Sequence, residues 1–258
     1  MTHHTPRRLV SGLLASLVAG LLLPASAFGL EKTFSETYKL KNGGVFSIDN
    51  VNGDVTIEAW DSAEVRVDAT ITARTQEGLD RVEIQVKATE DRVEVDTHYK
   101  ESRGWSWGGD GGEVDYVVKV PKSAELRDIE LVNGSLRLSG VPGRVAASTV
   151  NGKIAATGLG GDVKLESVNG RIEAAFDQLG GRQRIEIESV NGPIELKVPK
   201  NADFEVDAST VHGDIDNDFG LEVDHGEYVG NDLRGKVGGG GARVKLENVN
   251  GSIDIRSN

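Results

Sequence analysis

The sequence contains no cysteine, one methionine, six prolines and few aromatic residues, which make up 5% of its 258 residues. Without cysteine, disulfides and thiol catalysis are both excluded, so the fold must be held by packing alone. The chain also lacks a phosphate-binding loop and a His-Glu-x-x-His motif, and its five histidines are scattered. These absences argue against an enzyme, and they lead us to expect no cofactor and no metal site.

Basic residues are in the minority, 29 against 41 acidic ones. The first 27 residues contribute Arg7 and Arg8 and no acid, so the remainder holds 27 basic and 41 acidic side chains, a net charge of −14. Nucleic acids and anionic lipid surfaces repel a protein of this charge. We therefore expect a partner that is not a nucleic acid.

The amino-terminal segment has the features of a secretory signal peptide. Arg7 and Arg8 precede an apolar run, Leu9–Leu23, and an Ala-x-Ala cleavage pattern follows at Ala25–Ala27. The run has about 15 residues, whereas roughly 20 are needed to span a bilayer. We predict cleavage of residues 1–27, no stable transmembrane segment afterwards, and a location in the periplasm or on the cell surface of a bacterium.

The tripeptide Val-Asn-Gly recurs along the chain. Its central copies are about 18–22 residues apart, a period typical of stacked structural units. A seventh copy, Val211–Gly213, has histidine in place of asparagine. The intervening residues alternate between apolar and polar and predict strands, apart from a helical turn at Gln76–Arg81. The exact copies begin at Val51, Val132, Val150, Val168, Val190 and Val249.

Two all-β architectures fit this pattern. In an antiparallel β-meander or sandwich, Asn-Gly forms a hairpin turn, and the recurrent valine then lies on an exposed face. In a parallel β-solenoid, Asn-Gly forms a corner, and Val150 and Ile154 both point inward. We favour the solenoid, because it explains the valine and tolerates Pro193. The expected domains are an N-terminal β region, 28–128, continuous with a repeat solenoid, 129–258.

The asparagine of the repeat suits a corner, because asparagine tolerates left-handed backbone conformations better than most residues. Asparagine side chains stacked at one position can also hydrogen-bond from rung to rung, as they do in cross-β stacks. We therefore predict a structural ladder along the corner, which His212 would interrupt. Its expected members are Asn133, Asn151, Asn169, Asn191 and Asn250.

A glycine-rich loop at residues 102–112 contains two of the three tryptophans, Trp105 and Trp107. Tryptophan supplies a large contact area for sugars and for protein partners. These two residues are therefore the candidate partner contact. In the alternative interpretation, their indole rings fold back over the end of a sheet.

The chain resembles the bacterial β-strand-repeat family known as putative adhesin. The resemblance covers most of residues 43–258 and is carried by the serial Asn-Gly-x-Ile turns and by Val-Pro at Val120 and Val198. Gly213–Ile215, which reads Gly-Asp-Ile, is the nearest local match to the Ser-Gly-Asp-Ile of that family. The resemblance implies an envelope protein with a solenoid-like fold and unknown function, and it supplies no catalytic residue.

From these observations we expect a non-enzymatic exported protein of the cell envelope, an adhesin-like binding or scaffolding module. Its partner would be an envelope protein or a glycan. One alternative is a β-solenoid carbohydrate-active enzyme. Another is a structural envelope protein that self-associates through the ends of the solenoid, because Ile253–Ile255 lies almost at the carboxyl terminus and would form a poorly capped strand edge.

Overall fold

Each Val-Asn-Gly copy, and the Val-His-Gly copy with them, lies where the chain leaves one β-sheet and enters another. The computed structural model describes residues 29–100, 112–226 and 230–258. These residues form 21 strands and one helix. The elements are β1 (Leu30–Lys39), β2 (Val45–Asn52), β3 (Val55–Trp60), β4 (Glu64–Ala73), α1 (Gln76–Arg81), β5 (Val82–Ala88), β6 (Arg92–Tyr99), β7 (Glu113–Pro121), β8 (Glu125–Asn133), β9 (Leu136–Ser139), β10 (Val145–Asn151), β11 (Ile154–Leu159), β12 (Val163–Asn169), β13 (Ile172–Phe176), β14 (Arg184–Asn191), β15 (Ile194–Val198), β16 (Phe204–His212), β17 (Ile215–Asn217), β18 (Asp224–His225), β19 (Asn231–Val237), β20 (Ala242–Asn250) and β21 (Ile253–Ser257).

The strands form two sheets. Sheet A has the order β1-β4-β7-β3-β9-β11-β13-β15-β21-β17, and sheet B the order β18-β19-β16-β20-β14-β12-β10-β8-β2-β6-β5. In the middle of the stack the neighbouring strands are parallel and pair at equivalent positions of the repeat, so that Ile172 faces Ile154 on one side and Ile194 on the other. The predicted parallel β-solenoid is confirmed, and the antiparallel meander is wrong. Antiparallel pairs occur towards the ends, as in β1–β4, β5–β6 and β16–β19.

The hydrophobic core lies between the two sheets, because every second residue of a strand points inward. In the rung formed by β12 and β13, the inward residues include Val163, Leu165, Ile172 and Ala174, and all four are buried. The rungs above and below present aliphatic side chains at the same positions. Each rung therefore shares its core with both neighbours and cannot bury its apolar side chains alone.

The carboxyl-terminal pair of strands is an interior rung. Strand β20 lies between β14 and β16, and β21 lies between β15 and β17. Leu246 of β20 accordingly faces Ile187 on one side and Ala208 on the other. The poorly capped edge expected at Ile253–Ile255 is therefore wrong. The chain first builds the terminal rung, β16–β17, and then returns to form the rung beneath it.

Both ends of the stack carry covering elements. At one end, helix α1 is capped at its amino terminus by Thr75, whose hydroxyl accepts a hydrogen bond from the Gly78 backbone N–H at 3.1 Å, and Leu79 is buried. This confirms the predicted helical turn. At the other end, the ring of Phe219 meets the buried ring of Phe204 edge-on, with 5.2 Å between centroids. Among the described residues, no helix is long and apolar enough to cross a membrane.

Candidate functional site

Six of the seven corners are built around a buried polar residue that stands two positions before the asparagine or His212, and Leu131 takes this position before Asn133. The polar side chain points inward, and in most of these corners it donates to the carbonyl of a corner glycine: Thr210 Oγ1 donates to the Gly251 carbonyl at 3.0 Å, and Ser189 Oγ to the Gly192 carbonyl at 3.2 Å. Such bonds satisfy backbone groups that the strands leave unpaired at the turn. Other buried residues at this position are Asn50, Thr149, Ser167 and Asn248.

The corner asparagines form a continuous chain of side-chain hydrogen bonds. Asn151 Nδ2 donates to Asn133 Oδ1 at 2.9 Å, Asn169 to Asn151 at 2.9 Å, and Asn191 to Asn169 at 3.0 Å. The chain extends to Asn52 at one end and to Asn250 at the other. His212 pairs with Asn250 in register on the last rung, so it lies beyond the end of this asparagine ladder and does not interrupt it.

Asn169→Ala is expected to lower the free energy of unfolding by about 1–2 kcal/mol, because it removes two hydrogen bonds from the middle of the asparagine ladder. Urea unfolding followed by circular dichroism measures the change. Asn201→Ala, which alters an exposed asparagine away from the corner, is the matched control and should shift stability by less than about 0.5 kcal/mol. Equal effects of the two substitutions would show that the ladder adds no stability.

The valine of each repeat points outward, which corrects the expectation that it fills the core. Thr149 occupies the inward position, so Val150, the next residue of the strand, lies on the outer face of sheet B. Six of the valines expose 37–44% of their surface, and Val51 is partly exposed. Because neighbouring strands of sheet B pair at equivalent positions, these valines lie side by side. This valine stripe comprises, in spatial order, Val51, Val132, Val150, Val168, Val190, Val249 and Val211.

The valine stripe runs along the axis of the stack, across the strands. Neighbouring strands are about 4.8 Å apart, so seven valines extend over about 29 Å. The last five line a groove of about 610 Å³ on the outer face of sheet B. Elsewhere among the described residues, the exposed large hydrophobic side chains are Leu30 and Val117.

A row of acids flanks the valine stripe on the same face, two residues before each valine along the strand. This acidic row comprises Asp49, Glu130, Glu166, Glu188 and Glu247, and serines take the same position in β10 and β16. Alternate residues of a strand are about 7 Å apart. An apolar and an anionic row therefore run in parallel along sheet B.

Two lysines partly neutralise the acidic row. Lys164 pairs with Glu166 at 2.9 Å, and Lys245 pairs with Glu247 at 2.8 Å. The hydrogen bond to Glu166 raises the pKa of Lys164, and the nearby charge of Glu188 adds to that effect. Within the described part of the chain, the other acids of the row, Asp49, Glu130 and Glu188, form no ion pair.

The outer face of sheet A differs, because its central acids are engaged with cations. Glu173 pairs with Lys153 at 2.7 Å, and Glu195 pairs with Lys197 at 2.8 Å and with Arg171 at 3.5 Å. The hydrogen bond from Lys197 lowers the pKa of Glu195. In the described ranges, no group of three or more His, Asp or Glu side chains is placed to hold a metal ion.

Trp105 and Trp107 lie outside the described residues, so a partner contact at these tryptophans stays a prediction. Their loop also contains Gly104–Gly108, whose sequence fits the Gly-x-Ser-x-Gly pattern of serine hydrolases. In those enzymes the pattern joins a strand to a helix. The described element that follows this loop is strand β7.

Comparison with protein-family models gives a match to Toastrack DUF4097 over residues 128–256. No curated protein matches the chain. Among solved structures, a putative cell adhesion protein from Clostridium sporogenes is 12% identical, with a TM-score of 0.49 over 88% of this chain and 100% of that one. A putative adhesin from Bacteroides fragilis is 12% identical, with a TM-score of 0.38 over 87% and 97%. A putative adhesin from Parabacteroides merdae is 11% identical, with a TM-score of 0.35 over 88% and 96%.

Proposed function

The chain belongs to the Toastrack DUF4097 family, and from the outer face of sheet B we propose that it is a non-enzymatic binding module, exported to the bacterial cell envelope, whose partner lies on the valine stripe. The proposal rests on one observation, the alignment of seven outward valines in consecutive rungs. Together they expose on the order of 400 Å², which is the size of the largest apolar patch on a typical soluble monomer, a patch that is often functional.

The sequence of the repeat indicates that the valines are not exposed by chance. The acidic-row position varies between carboxylates and serine, as an exposed strand position normally does. The next outward position holds valine in all seven copies, although threonine has the same shape and a similar preference for strands. Strand formation alone therefore does not account for the valine, whereas a requirement for an apolar surface does.

The amino-terminal sequence supports export. Arg7, Arg8, the apolar run Leu9–Leu23 and the Ala25–Ala27 pattern suit removal of a signal peptide. The remaining charge of −14 argues against a nucleic-acid partner. The periplasm and the cell surface are both consistent with this proposal. Self-association through the ends of the stack stays a separate proposal, which light scattering over a range of concentrations would test.

The test is a binding survey of residues 28–258 on an array of glycans and other envelope components. The variant Val150→Thr/Val168→Thr/Val190→Thr keeps shape and strand preference but makes the stripe polar. We expect it to bind at least about tenfold more weakly, because three desolvated valines contribute together more than about 1.4 kcal/mol. Val117→Thr on sheet A, also at an exposed valine, is the control and should bind normally.

Two further variants separate the alternatives. Trp105→Ala/Trp107→Ala tests the glycine-rich loop; binding lost in this variant and kept in the triple valine variant would move the site to that loop and overturn the proposal. Hydrolysis of an arrayed compound that disappears in Ser106→Ala would instead favour an enzyme.

A further inference from the structure

We infer that the partner of the valine stripe is a cationic amphipathic polypeptide helix that matches the stripe in length, an inference that rests on the proposed function. Three features of the outer face of sheet B lead to this partner class: the length of the stripe, the polar groups that border it, and the charge beside it.

The dimensions suit a helix lying along the stack. The stripe extends over about 29 Å, and a helix of that length has about 19 residues in roughly five turns. One turn rises about 5.4 Å, close to the spacing of about 4.8 Å between rungs. Side chains at i, i+3, i+4 and i+7 would therefore meet successive valines, as in other complexes where a helix lies in an apolar groove. An extended segment presents side chains to one face only about every 7 Å.

The borders of the stripe disfavour a glycan. On one side stands the asparagine ladder, whose amides are already engaged with each other, as at Asn151 and Asn169. A sugar needs free hydrogen-bonding groups to replace its water. The stripe itself is aliphatic throughout, and it offers no aromatic ring on which a sugar face could stack.

The acidic row beside the valine stripe favours a positively charged partner. The acidic row supplies five carboxylates parallel to the valines, and Asp49, Glu130 and Glu188 are not neutralised by an ion pair among the described residues. Lysine or arginine side chains flanking the apolar face of a helix could span the roughly 7 Å between the two rows. A second copy of this acidic chain would bring like charges together, so the partner is a different polypeptide.

The experiment measures binding of three synthetic peptides, each of about 19 residues to match the stripe, to residues 28–258 by fluorescence anisotropy. The first places leucine and lysine in an amphipathic helical pattern, the second replaces lysine by glutamate, and the third scrambles the first. We expect the lysine peptide to bind at least tenfold more tightly than either of the others, and its affinity to fall as salt rises. Lysine and scrambled peptides binding equally would overturn the inference.

Variants then locate the binding. Asp49→Asn/Glu130→Gln/Glu188→Gln should weaken the lysine peptide at least fivefold. Its control removes three exposed acids from sheet A, Glu58→Gln/Glu113→Gln/Asp216→Asn, and should change affinity less than twofold. If both triple variants lost affinity for the lysine peptide equally, the effect would come from the net charge of the protein alone, and the inference would be wrong.

The two proposals can fail separately. If the array shows binding to a glycan that depends on the valines while the lysine peptide does not bind, the partner class is wrong and the proposed function stands. If the triple valine variant binds its array ligand and the lysine peptide as tightly as the natural sequence, the proposed function itself is wrong.

Discussion

Truncation after Gly241 is expected to abolish cooperative folding of the chain, although it removes only the segment 242–258. The lost rung, β20–β21, supplies Ala242, Val244, Leu246, Ile253 and Ile255 to the core, all of them buried. Their burial contributes roughly 10 kcal/mol in gross terms, which is comparable to the whole stability of a typical domain. The truncation also leaves β16 and β17 without the strands that join them to the stack.

Urea unfolding and limited proteolysis measure this loss. The matched control deletes residues 29–38, most of the edge strand β1, whose side chains are largely exposed. That variant should remain folded and lose less stability than the truncation, because β1 lies at the edge of sheet A and contains no fully buried residue. If the protein truncated after Gly241 unfolded at the same urea concentration as the intact chain, the interior position of the last rung would be wrong.

Gly170→Ala is expected to destabilise the protein by about 3–5 kcal/mol, a large effect for one added methyl group. A Cβ atom at Gly170 would lie 1.9 Å from the carbonyl oxygen of Gly152 in the rung below. That oxygen belongs to the backbone of the neighbouring corner and cannot rotate away. Accommodating the methyl group therefore means separating two rungs that are joined by backbone hydrogen bonds, such as that from Gly152 N–H to the Asn169 carbonyl at 3.0 Å.

Thermal unfolding should show the melting temperature of Gly170→Ala falling by about 10 °C, since each kcal/mol corresponds to roughly 2–4 °C for a chain of this size. Gly239→Ala is the control. The nearest atom to its added Cβ is Asp203 Oδ1 at 3.7 Å, an ordinary contact, so its effect should stay below about 1 kcal/mol. A melting temperature unchanged in Gly170→Ala would mean that the corners are not stacked as tightly as described.

Much of the architecture follows from local pattern. Alternating apolar residues predicted strands, and the recurrence of Asn-Gly at near-regular intervals predicted parallel rungs with a corner at each copy. The helical turn at Gln76–Arg81 could also be predicted. These features depend on residues close in sequence and on a repeat whose members must occupy equivalent positions, so no distant contact has to be known.

The direction of the recurrent valine could not be predicted in the same way. The alternation of side chains along a strand places Thr149 and Val150 on opposite faces, but it does not determine which of them lies inside. Hydrophobicity alone favours an inward valine. The structure places threonine inside because the corner leaves backbone carbonyls unpaired at the edge of the core. A hydroxyl or amide side chain can donate to them, as Thr149 does to the Gly134 carbonyl at 3.3 Å. The candidate site exists only because of that choice.

The sequence by itself thus determined the all-β class, the parallel stacking of the repeats and the corner at each Val-Asn-Gly copy. Only the tertiary structure decided the order of the rungs and the face that each valine occupies. The placement of β20 between β14 and β16, and of β21 between β15 and β17, depends on contacts between strands that are distant in sequence, and repeats of similar sequence fit equally well at several levels of the stack. The outward valines follow at most corners from hydroxyl and amide side chains at the inward position, such as Ser189 and Thr210, which satisfy glycine carbonyls that the sheets leave unpaired.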